Sequence, residues 1–361
     1  MPAIARTADV AVLGGGVAGL TVALAAAGRG LSVVVVDVPV AGSASRSAAG
    51  MLAPSLEGLP AAVLPYALAA RDYYPSYLAE LTERSGVEVE LNRLGILELA
   101  DRESDLSALQ GRALPTASLL TPRELLALEP SLAPHAGAVL HPLDGAVNNV
   151  ALMDALEVAV SEEPRVRRIN ERAHAVRFSA VAELSTTAGT NISARWLTVA
   201  GGAWVNEVAG LPRPLPVKPV RGQLLSVLEC PLRHVMYAPR TGYLVPRSGT
   251  LVVGATVEHS GFVSETTEWG RHELLSVLSR TLPGLRTPTV LEHWAGLRPM
   301  TPDTLPILGP DPDVPALIYA GGFSRNGILL APWAANEVAE LLVSERSPGT
   351  LDSFSITRFE N

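Results

Sequence analysis

The chain has 361 residues, 48% of them apolar, enough for two or three domains with a core that needs no covalent staples. Its 28 basic and 36 acidic residues give a net charge of −8 with no basic block, so neither nucleic acid nor an anionic membrane is an expected partner; both need clustered Lys and Arg. One cysteine, Cys230, rules out an intrachain disulfide and any cysteine-based zinc or iron–sulfur site.

Residues 10–27 are apolar apart from Thr21 and reach the lower length limit of a membrane span, with Arg6 ahead of them as in a signal peptide. Three consecutive glycines interrupt that stretch, and a second apolar run at 31–36 ends in Asp37. This order predicts strand, glycine turn, small-residue helix and strand in a soluble, cytoplasmic protein with no membrane contact. Residues 9–13 read as a buried parallel strand, and Gly14-Gly15-Gly16-Val17-Ala18-Gly19 matches G-x-G-x-x-G. Gly14 permits the tight turn, Gly16 lets a pyrophosphate approach the backbone, and Gly19 lets the helix lie close on the strand. The helix over 17–27 then aims its free N–H groups at the phosphates. Asp37 stands where a carboxylate can accept from a ribose 2′-OH, which favours FAD or NAD over NADP.

Farther along, residues 43–52 form a small-residue segment containing Ser45, Ser47, Ala48, Ala49, Gly50 and Met51. Such a segment can pass close to a flat ring, and Met51 and Leu52 argue for a packed loop rather than a linker. Residues 196–204 and 316–323 repeat the strand-to-glycine-turn shape, which suggests one parallel sheet assembled from distant segments. Between them, 91–99, 223–228, 243–246 and 250–257 read as short strands of an antiparallel sheet. Residues 265–281 read as a helix whose Leu274, Leu275 and Leu278 pack into a core. The last dozen residues read as a polar terminal tail. His141, His234, His259 and His293 lack metal-ligand spacing and are expected to be surface or packing residues, so no metal is assigned.

With these motifs in place, the chain resembles the FAD-dependent D-amino acid oxidase superfamily, and within it the glycine oxidase branch linked to thiamine biosynthesis. The resemblance rests on residues 14–19 with Asp37, 47–52, 216–223, 242–247, 252–256, 294–299 and 321–332, in the family's order and across the whole chain. It implies an α/β fold: a Rossmann-type FAD-binding domain on a parallel sheet, and an antiparallel-sheet α+β substrate domain. The expected division assigns 1–85, 140–215 and 296–361 to the first, and 86–139 with 216–295 to the second. By the same resemblance, Arg298 is expected to bind a substrate carboxylate with Tyr243 as its hydroxyl partner. Arg325 should stand at the flavin and substrate mouth, with Glu57 in the pocket. Met51, Thr241 and Val257 should line that pocket. FAD should be held non-covalently, because 298–302 offers no tethering cysteine. Its expected contacts are the 14–19 loop, Asp37, the 45–51 segment, Val176, Ala200, Gly201, Trp204, Gly322, and Arg325 with Asn326, Gly327, Ile328 and Leu329.

The chain departs from the branch at Val257, where methionine is usual, and at Thr241, where a more polar residue is usual. The expected pocket is therefore roomier or drier than one made for glycine. The implied activity is oxidation of the amine of glycine, or of a small or N-substituted amino acid, by hydride transfer to flavin N5. Oxygen would take the electrons to give H2O2, and water would hydrolyse the imine. A dehydrogenase passing electrons to another acceptor and a non-catalytic flavin-binding partner protein are the alternatives. Self-association is possible, since the modest charge does not oppose it.

Overall fold

The computed structural model describes residues 6–238 and 242–360. Its first sheet is built around Arg6–Leu13, which pairs in parallel with Val33–Asp37 on one side and Asn191–Val199 on the other. Val166–Asn170 extends the sheet beyond Val33–Asp37, and Leu317–Gly321 pairs in parallel with the end of Asn191–Val199. The three strand-to-glycine-turn segments of the sequence are thus neighbours. An antiparallel ribbon, Ala173–Phe178 and Ala182–Thr186, completes the other edge.

The apolar runs do not alternate because both sheet faces are covered. Val10, Val12, Val33 and Val35 face a core shared with the helices Val17–Gly28, Leu64–Ser85, Asn149–Glu162 and Gly327–Ser344. Ala11, Leu13, Val34 and Val36 face a second core with Leu215 and Tyr319. Residues 10–27 therefore divide between strand, turn and a helix of 12 residues. Among the described residues, no helix is long and apolar enough to cross a membrane.

The second sheet runs Val290–Met300, Lys218–Val227, Thr250–Gly254, Gly242–Arg247, Val235–Ala238, Ile96–Ala100, Gly137–His141, Ser118–Leu120. All neighbours are antiparallel except Val235–Ala238 with Ile96–Ala100. Here too both faces are covered, and successive residues enter opposite cores. Leu225, Val227, Leu244 and Val253 pack on the Glu268–Thr281 helix, whose Leu274 and Leu278 are buried. That helix starts three residues later than the sequence suggests, because the Thr267 hydroxyl caps the Gly270 N–H at 3.1 Å. Leu224, Val245 and Val252 face the opposite way, toward Ala49 and Ala53 of the first sheet's loops. A small third sheet, Met51–Leu52, Gly145–Val147 and Leu91–Asn92, joins the two.

The expected cuts at 139/140 and 295/296 fall inside the strands Gly137–His141 and Val290–Met300. The terminal tail is a correction: it packs. Phe354 and Ile356 are buried, Phe354 meets the Tyr66 ring at 4.8 Å, and Arg358 pairs with Asp303 at 2.7 Å. Burying an aromatic ring and an isoleucine outweighs the polar composition of the segment. Of the histidines, His141 meets Glu98 at 3.2 Å and His234 meets Glu129 at 2.6 Å, both inside the protein.

Candidate active site

A continuous cavity of about 450 Å³ runs from the glycine turn after the first strand to the inner face of the antiparallel sheet. At one end, Gly14 has φ +106° and a side chain there would meet the Ala200 carbonyl, while one on Gly19 would strike the Gly14 carbonyl. The turn can be this tight, and the helix this close, only with glycine at both positions. Asp37, at the end of its strand, accepts from the Gly15 N–H. Burial raises the pKa of its carboxyl, against the opposing pull of that N–H and of Arg168.

The small-residue segment is clamped from three sides. Asn149 donates to the Ser45 and Arg46 carbonyls at 2.8 and 3.1 Å. Arg247 donates to the Ala49 carbonyl at 3.0 Å, and the Trp294 indole to the Ser47 carbonyl at 3.0 Å. The Ser45 hydroxyl accepts the Val17 N–H at 3.0 Å, tying the segment to the first turn of the helix. Residues 44–47 form a single helical turn, so the packed-loop reading holds.

At the other end, the period of two puts Gly222, Leu224, Tyr237, Tyr243, Gly296 and Arg298 on the cavity side of the second sheet. The Arg298 guanidinium lies flat over Gly222 and the Tyr243 ring over Gly254; a methyl on either glycine would sit 2.2 Å from the nearest side-chain atom. Arg298 donates to the Thr256 carbonyl at 3.2 Å and also to the Tyr243 oxygen. Burial pushes the Tyr243 phenol up, and the Arg298 charge only partly offsets this, so the hydroxyl stays a neutral donor. Across the cavity, Arg325 pairs with Glu57 at 2.7 Å. Burial raises the Glu57 carboxyl's pKa, while Arg325 and Asn326 oppose it.

Of the expected residues, Gly14, Gly16, Val17, Ala18, Asp37, Ser45, Ser47, Ala48, Ala49, Gly50 and Met51 line this cavity. So do Glu57, Ala200, Gly201, Trp204, Tyr243, Arg298, Gly322, Arg325, Asn326, Gly327 and Ile328. Four stand elsewhere. Gly19 lies behind the turn, Leu329 is buried between helix and sheet, and Val176 faces the second core with its N–H on the Ala209 carbonyl at 2.8 Å. Val257 is 65% exposed and absent from the wall. Its strand ends at Gly254, and the Thr256 hydroxyl turns inward to accept the Gln223 N–H at 2.8 Å and donate to Glu258 at 2.6 Å. The residue between them therefore points out. Thr241 lies outside the described residues. Arg168 and Tyr237 are wall residues the sequence reading did not name; recognising Val235–Ala238 as a strand would have pointed to Tyr237.

Residues 9–341 match the FAD dependent oxidoreductase family. Among curated relatives, the chain is 34% identical over 367 residues to the bifunctional protein ThiO/ThiG of Synechocystis, covering 98% of this chain and 54% of that one. It thus spans about half the length of that relative. It is 32% identical to the glycine oxidase of Geobacillus kaustophilus, covering 97% of each chain. The crystal structure of that oxidase superposes with a TM-score of 0.90 over 98% of this chain and 99% of that one. Iminodiacetate oxidase from Chelativorans sp. BNC1 superposes with a TM-score of 0.87 at 26% identity, over 96% of this chain and 98% of that one. The cavity fits the family's cofactor on its own terms: a side-chain-free wall at Gly14–Gly16, the half-buried Asp37 carboxylate beside it, and one unbroken space from there to Arg298. Sequence match, superposition and a cavity of this construction agree that the chain belongs to the FAD-dependent oxidoreductase family.

Proposed function

We propose that the chain oxidises the amine of glycine, or of a related small or N-substituted amino acid. The observation that carries this reading is the convergence of Arg298 and Tyr243 on one cavity with the dinucleotide loop. A carboxylate needs paired donors in a plane, and the Arg298 fork supplies them with a geometry lysine lacks. Tyr243 adds a hydroxyl that burial keeps protonated. Two points of attachment leave the substrate rotation about one axis, and the Tyr237 and Leu224 side of the wall limits that rotation. Bound FAD would supply the two-electron acceptor for the α C–H hydride, with O2 as the final oxidant giving H2O2.

The residues that would hold it are the 14–18 loop and Asp37 at the nucleotide end. The 45–51 segment, Gly322 and residues 325–328 would flank the ring. The amine must shed its proton before hydride can leave, and Glu57, though a cavity carboxylate, is already engaged by Arg325. Substrate is therefore expected to react as the free amine. The imine would then be hydrolysed to an oxo acid and an amine. The 86–139 and 216–295 segments remain the proposed substrate-binding part, with strands that run across the cuts. Cytoplasmic action and self-association belong to the same proposal.

The N-substituted substrates rest on likeness to iminodiacetate oxidase, since the Val257 argument for a roomier pocket falls with its outward orientation. Anaerobic mixing with glycine, sarcosine, D-alanine and longer N-alkyl glycines tests the reading. Bleaching of the flavin band by at least one is expected, and bleaching by none would overturn it. Hydrogen peroxide formed in proportion to substrate separates an oxidase from a dehydrogenase.

A further inference from the structure

The Gly327–Ser344 helix carries a proline, Pro332, inside its second turn. Proline has no N–H, so the carbonyl four residues back, on Ile328, loses its helical donor. Ile328 is 6% exposed and lines the flavin cavity, where an unsatisfied carbonyl would be costly. The missing donor comes from another helix. Tyr74, on Leu64–Ser85 and fully buried, donates its hydroxyl to the Ile328 carbonyl across 254 positions of sequence. Burial holds that phenol well above its usual range, which keeps it a donor. The next residues toward the N-terminus, Gly327 and Asn326, are wall residues too, and the Asn326 carbonyl accepts the Leu330 N–H at 2.9 Å. This first turn presents the positive end of the helix to the cavity.

We propose that Tyr74 is a positioning residue for the flavin site: its hydroxyl replaces the donor that Pro332 lacks and holds the first turn of the Gly327–Ser344 helix against the cavity. The inference rests on FAD occupying this cavity, and not on the identity of the substrate. Pro332 and Tyr74 then form a matched pair. A straight helix would close the Ile328 carbonyl by itself; the proline releases it, and a tyrosine on a packed neighbour fixes it to the rest of the domain.

The matched pair gives a test by rescue. Apoproteins of the wild type, Tyr74→Phe, Pro332→Ala and the double variant are titrated with FAD by flavin fluorescence, and the visible circular dichroism of each complex is recorded. Tyr74→Phe is expected to weaken FAD binding about tenfold and to alter the visible bands, because it orphans the buried carbonyl of a wall residue and frees the first helical turn to shift. Pro332→Ala returns a backbone N–H, so in that background the same Tyr74→Phe change is expected to cost less than about threefold. Wild-type affinity in Tyr74→Phe, or an equal loss in both backgrounds, overturns the proposal. If Tyr74→Phe does not fold, a double variant that folds and binds FAD supports it, and one that also fails overturns it. A wild-type chain with no affinity for FAD would remove the cavity reading itself and this proposal with it.

Discussion

Adding one methyl group at Gly222 perturbs the substrate end without altering any charge. The glycine pairs with Gly296 and lies beneath the Arg298 side chain, which folds back across the sheet from the neighbouring strand. A side-chain carbon at 222 would stand 2.2 Å from Nη1, 2.3 Å from Nη2 and 2.4 Å from Cζ of Arg298. The guanidinium must then lift by roughly 1.5 Å to regain ordinary contact. Its bond to the Thr256 carbonyl, 3.2 Å long at rest, cannot follow such a lift within hydrogen-bonding range. The fork tilts and reaches a carboxylate with one good bond in place of two. Hydrogen bonds to charged groups contribute about 1.5–3 kcal/mol, so Gly222→Ala should lower kcat/KM about 10- to 150-fold, mostly through KM. Steady-state kinetics with the amino acid that best bleaches the flavin measure this, with FAD content checked in parallel. In an Arg298→Lys background, which has no flat fork to displace, the same substitution should add little. A Gly222→Ala enzyme within about threefold of wild type would refute the reasoning, as would a loss fully additive with Arg298→Lys.

Arg298→Lys alone keeps the charge and loses the paired geometry, and should raise KM about tenfold with a smaller change in kcat. Because burial raises the Tyr243 phenol above its ordinary value of 10.0, kcat/KM should climb with pH as the substrate amine deprotonates and then hold a plateau to that point. A descending limb below it that Tyr243→Phe abolishes would contradict this. Asp144→Asn removes the buried one of the two carboxylates on Arg71, 2.8 Å away, leaves it only the exposed Asp72, and loosens the Ser55 turn that carries Glu57. Urea unfolding should show a loss of about 3 kcal/mol, and a loss below about 1 would argue against the pair's role. Burial works to raise the Glu258 carboxyl, but donation from Arg221, Thr256 and Gln223 wins and lowers it below its ordinary 4.5. Its stabilising contribution is therefore complete above that value and lost as pH falls through the lowered one. Melting curves of Glu258→Gln should be less stable at neutral pH and lose less on acidification; an unchanged acid slope would contradict the assignment.

The local events were legible in the chain alone. Two apolar runs without alternation, parted by Gly14–Gly19 and closed by Asp37, specify a parallel strand–turn–helix–strand unit because only burial on both faces suits such runs. Arg298 and Tyr243 stood out through their motifs, and the side-by-side pairing of 290–300, 218–227, 250–254 and 242–247 in one sheet is what puts them on a common face. What the sequence could not decide were consequences of distant segments meeting. Val257 turned outward because Thr256 and Glu258 found inward partners in Gln223 and Arg221, and strand periodicity says nothing once a strand has ended. The terminal segment packed because Tyr66 offered its Phe354 a ring, a match no local composition announces. Gly222 reads as an ordinary strand glycine until a guanidinium from the next strand lies on it. Tyr74 and Pro332 each look like features of their own helices, and only the packing of those helices turns a missing N–H in one into a task for a hydroxyl on the other.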